Sequence, residues 1–124
     1  MAQHRLLETY GLDLLRAVLE TTSDAIYVLD SEDLVVELNA PAAVQRGASV
    51  EMLRGRPWYD LFANEVGQRR RQILAMARNQ KEMLHYEDRI EPGLVFDVRI
   101  QPLFDAYASV VGRVICMRDI SQAR

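Results

Sequence analysis

The sequence has one cysteine, Cys116, in 124 residues. A lone thiol builds neither an intramolecular disulfide framework nor a thiolate cluster for a metal. The usage fits a reducing compartment, and a cytoplasmic location is expected. Histidine is almost as scarce: His4 and His85 are the only two, and they lie far apart. No stretch approaches the roughly eighteen apolar residues of a membrane span, and no basic region followed by an apolar one opens the chain. A positive excess is missing too, with 15 Lys and Arg against 18 Asp and Glu and a formal net charge of −3. A general nucleic-acid binder would carry a basic field. Nucleic acid is therefore not an expected partner, nor is a membrane for this segment.

What is there is an ordinary globular mixture, 49% hydrophobic and 27% charged. A chain of this length forms one domain and buries about two-thirds of its unfolded surface. The dominant pattern lies near the C-terminus. Phe96, Val98 and Ile100 alternate with Asp97, Arg99 and Gln101, which puts the apolar set on one face of a strand. Pro102 suits an edge or the end of regular pairing. Val110 to Arg118 is apolar at nearly every position, as in a strand packed against other elements. These two strands form a hairpin expected at the centre of the sheet.

Upstream, Leu7, Tyr10, Leu14 and Val18 recur at helical spacing over Leu6 to Leu19, widened by Leu15 and Leu19 and weakened at Gly11. Such a helix docks on its own sheet and can also pair with a second copy. Ala25 to Asp30 and Leu34 to Asn39 read as strands joined by the polar turn Ser31-Glu32-Asp33. Asn39 is placed to cap a short helix, Ala40 to Arg46, with Pro41 in its first turn and Gly47 as its stop. Ser49 caps a second piece reaching Leu53, and Pro57 opens a third, Trp58 to Phe62. Asn64 is placed to cap a longer helix, Glu65 to Gln80, with Val66, Ile73 and Ala77 along one side and Leu74 and Met76 beside them. Its Arg69-Arg70-Arg71 run reads as a solvated face, because no aromatic residue is interleaved with it. Met83 to Ile90 forms a further strand and Pro92-Gly93 a turn. The order gives an α+β domain with a five-stranded antiparallel sheet.

No catalytic constellation emerges. His85 sits in mid-strand, where a lone histidine is usually structural or exposed. No phosphate-binding glycine loop or nucleophile elbow is present. Ser23, Ser31, Ser49, Ser109 and Ser121 fall in turns or caps. The pairs Asp30 and Glu32, and Glu87 and Asp88, fall at turns and on an exposed strand, where solvation is the default. Cys116 reads as an inert buried thiol.

Four stretches taken in order resemble the PAS domain, a sensory module of bacterial histidine kinases and diguanylate cyclases. They are Ala25 to Asp30 followed by Val36 to Ala43, then Leu53-Arg54-Gly55-Arg56-Pro57, then Phe96 to Leu103. Gly112 and Arg118-Asp119-Ile120-Ser121, similar to the Asp-Ile-Thr signature that closes such domains, complete the match. The resemblance covers nearly everything from Leu15 onward.

It implies a five-stranded sheet with the short helices and the longer helix on one face, around a ligand cavity, and an N-terminal helix on the other. Residues 1–22 become a flanking helix for capping or homodimerisation, and 23–121 the PAS domain. Residues 122–124 would begin a linker to an effector such as a histidine kinase or diguanylate cyclase. Asp119, with Ile120 and Ser121, is the implied signal relay. Strand alternation and family position make Tyr27, Leu29, Phe96, Val98, Ile115 and Met117 the inward candidates for ligand contact, with Trp58 beside them. Light-sensing flavin members carry Gly-Arg-Asn-Cys where this chain has Gly55-Arg56-Pro57-Trp58, so the adduct cysteine is absent. Haem members place a histidine in the long helix, which has none here. The cofactor stays open, with a non-covalent flavin compatible with Trp58. The sequence leaves two alternatives to a non-enzymatic sensor that binds a small molecule. One is a ligand-free dimerisation module; the other is a small enzyme with a buried carboxylate, Glu37 or Asp97, turned inward.

Overall fold

The computed structural model describes residues 11, 13–78 and 80–123. Helix α1 covers residues 13–19. Strands β1 (Ala25–Asp30) and β2 (Val35–Leu38) precede α2 (Ala40–Arg46), α3 (Val50–Leu53) and a short 3₁₀ turn, Trp58–Leu61. Helix α4 (Asn64–Ala77) leads into β3 (Leu84–Glu91), β4 (Leu94–Phe104) and β5 (Val110–Asp119), and a second 3₁₀ turn, Ser121–Ala123, follows. The strands form one antiparallel sheet in the order β2-β1-β5-β4-β3. The expected hairpin is therefore central, with β5 in the middle place. Pro102 pairs with Arg113 beyond Ile100, where the ladder to β3 has ended, so its missing N–H costs no bond to that strand.

Local chemistry sets most boundaries. Asp30 Oδ1 accepts from the backbone N–H groups of Glu32 and Leu34, at 2.8 and 3.1 Å, and folds the β1–β2 turn. Asn39 caps α2 by accepting from Ala42 N at 3.1 Å, and Gly47 closes that helix in the left-handed conformation, φ 65°. Asn39 also accepts from Ile26 N and donates to the carbonyls of Leu19 and Asp24. One buried amide thus joins the end of α1, the start of β1 and the start of α2. Ser49 caps α3 as expected, accepting from Met52 N at 3.2 Å.

Helix α4 departs from expectation. It starts at Asn64 and ends at Ala77; Ala63 occupies the cap position with no side-chain cap, so Asn64 is the first helical residue and not the cap. Its early end coincides with Arg113, whose Nη2 donates to the Ala77 carbonyl at 2.8 Å and satisfies one of the terminal acceptors. Met76 is 75% exposed, away from the apolar side on which the sequence placed it. Met83 precedes β3, which runs one residue later than expected.

Of the N-terminal helix, Leu6 to Tyr10 lies outside the described residues, as does His4. The described turns seal against the domain through buried Leu19, and Arg16 approaches the outward-facing Glu37 at 3.7 Å. The outer side of β2 is occupied by loop backbone: Val35 N donates to Arg56 O at 2.9 Å and Gly55 N to Val35 O at 2.8 Å. At the far edge, β3 presents His85, Glu87 and Arg89, all exposed.

Gly112 of β5 pairs with Asp30 of β1 at a close approach of the two strands. A Cβ there would clash with the Leu29 carbonyl oxygen. Backbone cannot yield as a flexible side chain can. Gly112→Ala is expected to lower stability by about 1–3 kcal/mol, as overpacking does, read as a lower urea midpoint; an unchanged midpoint would contradict the contact.

Candidate functional site

The inward face of the sheet and the helices opposite it enclose one core. Tyr27, Leu29, Phe96, Val98, Ile115 and Met117 are all buried there with Trp58, so the structure brings every sequence-identified interior candidate together. Register explains this: Tyr27 pairs with Ile115 and Val98 with Met117, on the inward side of neighbouring strands. Trp58, the first residue of a 3₁₀ turn, enters from the helical side. Its ring meets Tyr27 edge-on at 6.2 Å between centroids and Phe62 at 5.4 Å, with Tyr27 and Phe62 6.5 Å apart.

The solvated reading of the arginine run fails at its middle residue. Arg70 is 0% exposed. It follows Val66 and precedes Leu74 by one helical turn each, so it belongs to the inward row of α4. Its Cζ stands 3.7 Å from the Phe62 centroid and 5.1 Å from that of Trp58. Its Nε and Nη2 each lie 2.9 Å from Asp88 Oδ2. Asp88 is likewise buried, contrary to the expectation of a solvated strand carboxylate, because Leu84, Tyr86, Asp88 and Ile90 form the inward set of β3. Arg69 reaches the same carboxylate from outside at 3.5 Å. Arg46, in the last turn of α2, lies 4.4 Å from the Phe62 centroid and donates to Leu61 O at 3.2 Å.

This enclosure moves protonation equilibria. Burial holds the Arg70 guanidinium below the usual arginine range, opposed by Asp88. Burial raises the Tyr27 phenol, opposed by Arg46 and Arg70, and pushes Tyr86 up to about 12. Arg70, Asp88, Phe62 and Arg46 are the residues the sequence reading missed. The available signal was an acid and a base falling in the inward rows of facing elements.

A second buried cluster lies at the far end of α4. Asp33, at φ 66°, is 3.5 Å from Arg113 and 3.3 Å from Arg78. Burial raises its carboxyl against the pull of both cations. On the outward side, Glu37 accepts from Arg54 at 2.8 Å; against burial, that bond and the Leu38 N–H hold its carboxyl below the ordinary value. Asp97 contacts His85, which lowers its carboxyl, and lies 3.4 Å from Arg99. Glu37 and Asp97 are therefore partnered acids on the outward side. No group of three or more potential metal ligands occurs among the described residues.

The adduct cysteine and the haem histidine of other members have no counterpart among the described interior residues. Trp58 fills the adduct-cysteine position within the packed core, and Cys116 is half-buried on the outward face beside Asp24, with its thiol raised by burial. His85, the one described histidine, also faces outward. Neither side chain reaches the interior.

The tail is stitched to the sheet. Ile120 N donates to Val95 O at 3.0 Å, and Val95 N donates to Ser121 Oγ at 3.0 Å. Asp119 Oδ1 in turn accepts from Ser121 N at 2.9 Å and Ser121 Oγ at 2.6 Å, which holds its carboxyl below the usual range. Arg118 grips Asp24 across the sheet, with Nη2 3.1 Å from Oδ2.

The family described as PAS fold matches residues 19–124 of this sequence. No curated protein sequence matches the chain. Among solved structures, the PAS domain of a Colwellia psychrerythraea protein superposes with a TM-score of 0.73 at 19% identity, covering 90% of this chain and 98% of that one. The PAS domain of Bordetella pertussis BvgS gives 0.73 at 17% identity, over 89% and 86% of the two chains. A sensory box sensor histidine kinase structure from Vibrio cholerae gives 0.69 at 15%, over 94% and 97%. At these identities the likeness is one of fold.

Two outcomes follow from the buried charges and phenols. Asp88→Ala strands Arg70 without its acid and is expected to cost about 3–5 kcal/mol; adding Arg70→Met should restore most of it, measured by urea unfolding. A double variant no more stable than Asp88→Ala would refute the pairing. In alkali, Tyr86 binds its proton in the folded state up to about pH 12, whereas an unfolded tyrosine releases it near 10.0. Its contribution is fully present below pH 10 and is lost as pH rises through that window. Phenolate absorbance should therefore show at least two of the five tyrosines resisting ionisation until the protein unfolds.

Proposed function

The chain belongs to the PAS fold family, and we propose on that premise that it is a sensory module: a small molecule in the interior biases the sheet, and the tail reports it. One observation carries the proposal. The central strand β5 supplies Ile115 and Met117 to the interior and ends at Asp119, whose neighbours Ile120 and Ser121 are bonded to β4. Interior and exit therefore share one strand.

A ligand that binds one sheet arrangement better than another shifts the balance between them. A coupling of about 1–3 kcal/mol suffices for a switch. The module relays without catalysing. Its receiver is a C-terminal effector of the histidine kinase or diguanylate cyclase type, in the cytoplasm. Two copies pair through the N-terminal helix, where Leu15 and Val18 are 39% and 54% exposed. A second reading, dimerisation without a ligand, is favoured by one feature, the close packing of Tyr27, Trp58 and Phe62.

Asp119 is exposed, so its loss separates relay from folding. Asp119→Ala in the full-length protein should leave the domain's unfolding midpoint largely unchanged and uncouple output from the signal. Unaltered output would reject the relay.

A further inference from the structure

Of six donor atoms buried with no hydrogen-bond partner among the described residues, four belong to side chains around Phe62: Tyr27 Oη, Trp58 Nε1, Arg46 Nε and Arg70 Nη1; the others are Tyr86 Oη and Arg70 Nη2, the latter 2.9 Å from Asp88 Oδ2. Buried donors left unpaired are costly, and so few escape pairing that each demands an explanation. These four side chains surround one ring. Arg70 and Arg46 place their Cζ atoms 3.7 and 4.4 Å from the Phe62 centroid, and the Trp58 and Tyr27 rings stand 5.4 and 6.5 Å from it. Three of the four can only donate, and Tyr27 donates as readily as it accepts. The charge is unbalanced in the same sense. Asp88 faces Arg70 and Arg69, while Arg46 has no acid within ion-pair distance among the described residues.

We propose that this interior site takes a small monocarboxylate, held by Arg70 and Arg46 with Tyr27 and Trp58 as neutral donors. The proposal rests on the sensory reading above and supplies its ligand class. A carboxylate offers about four acceptor positions and one negative charge, which matches both the donor set and the missing acid. Ordered water satisfies donors but leaves the charge as it is. The rest of the ligand is small, because Tyr27, Trp58 and Phe62 already fill the space around it. Phe62 also lines a groove of about 310 Å³, open to solvent, with Tyr59, Asp60, Gly67, Gln68 and Arg71.

Trp58 is the chain's only tryptophan and reports on the site directly. The full chain is titrated with acetate, propionate and pyruvate against sodium chloride at equal ionic strength, following Trp58 emission and Tm. At least one carboxylate should give a saturable emission change with a rise in Tm, and acetamide and propionamide should give neither. Arg46→Gln, on the half-buried arginine, should weaken binding at least tenfold, and Tyr27→Phe several-fold, with circular dichroism unchanged. Should one of the two variants fail to fold, the other decides. Three silent carboxylates, amides that bind equally, or variants that bind as the parent does would each overturn the carboxylate assignment. Amide binding would do so while leaving a ligand-sensing interior intact, and unaltered output from the Asp119 variant would reject the relay whatever binds.

Discussion

A guanidinium enclosed by protein needs an acid, and in this molecule that requirement places a helix. Arg70 has no solvent contact, and its charge is tolerable only because Asp88 comes from the opposite wall. Such a pair adds little net stability, since desolvating both ions offsets most of their attraction. What it adds is position. Helix α4 settles against β3 only where Nε and Nη2 both reach one carboxylate, and any slide along the strand breaks that match. The aromatic rings then pack around the guanidinium, with Phe62 face-on to it.

The same device recurs at the other end of the helix. Arg113, on the central strand, takes the Ala77 carbonyl and leans on Asp33 in the β1–β2 turn. Near its start, α4 is pressed on the 3₁₀ turn so closely that a Cβ on Gly67 would lie 2.5 Å from the Tyr59 carbonyl oxygen. Helix α4 is thus located at three heights by polar or steric contacts whose geometry is directional. Apolar packing alone, which tolerates sliding, would not fix it so. The interior it closes is correspondingly well defined.

The order of elements along the chain, two of the three caps and the inward candidates were legible because each rests on short-range chemistry: alternation along β4, Asn39 and Ser49 before helices, Gly47 after one. The buried charges were not legible by the same rules, which send arginine and aspartate to solvent. Arg70 looks solvated within Arg69-Arg70-Arg71 until it is placed on the Val66–Leu74 row. Asp88 looks solvated until it is counted with Tyr86 and Ile90. Each becomes plausible only beside the other, and they are 18 residues apart on different elements. Asn39 likewise showed one of its roles in the sequence, the cap, while its bonds to Leu19, Asp24 and Ile26 depend on the folded arrangement.

An open sheet has two borders, and each is an invitation to add another strand. Here the β2 border is already taken by backbone from Gly55 and Arg56. The β3 border carries His85, Glu87 and Arg89 in alternation, so a neighbour docking there would have to strip water from several ionic or polar groups at once. The domain can accordingly be crowded against copies of itself with little tendency to polymerise through the borders of its sheet.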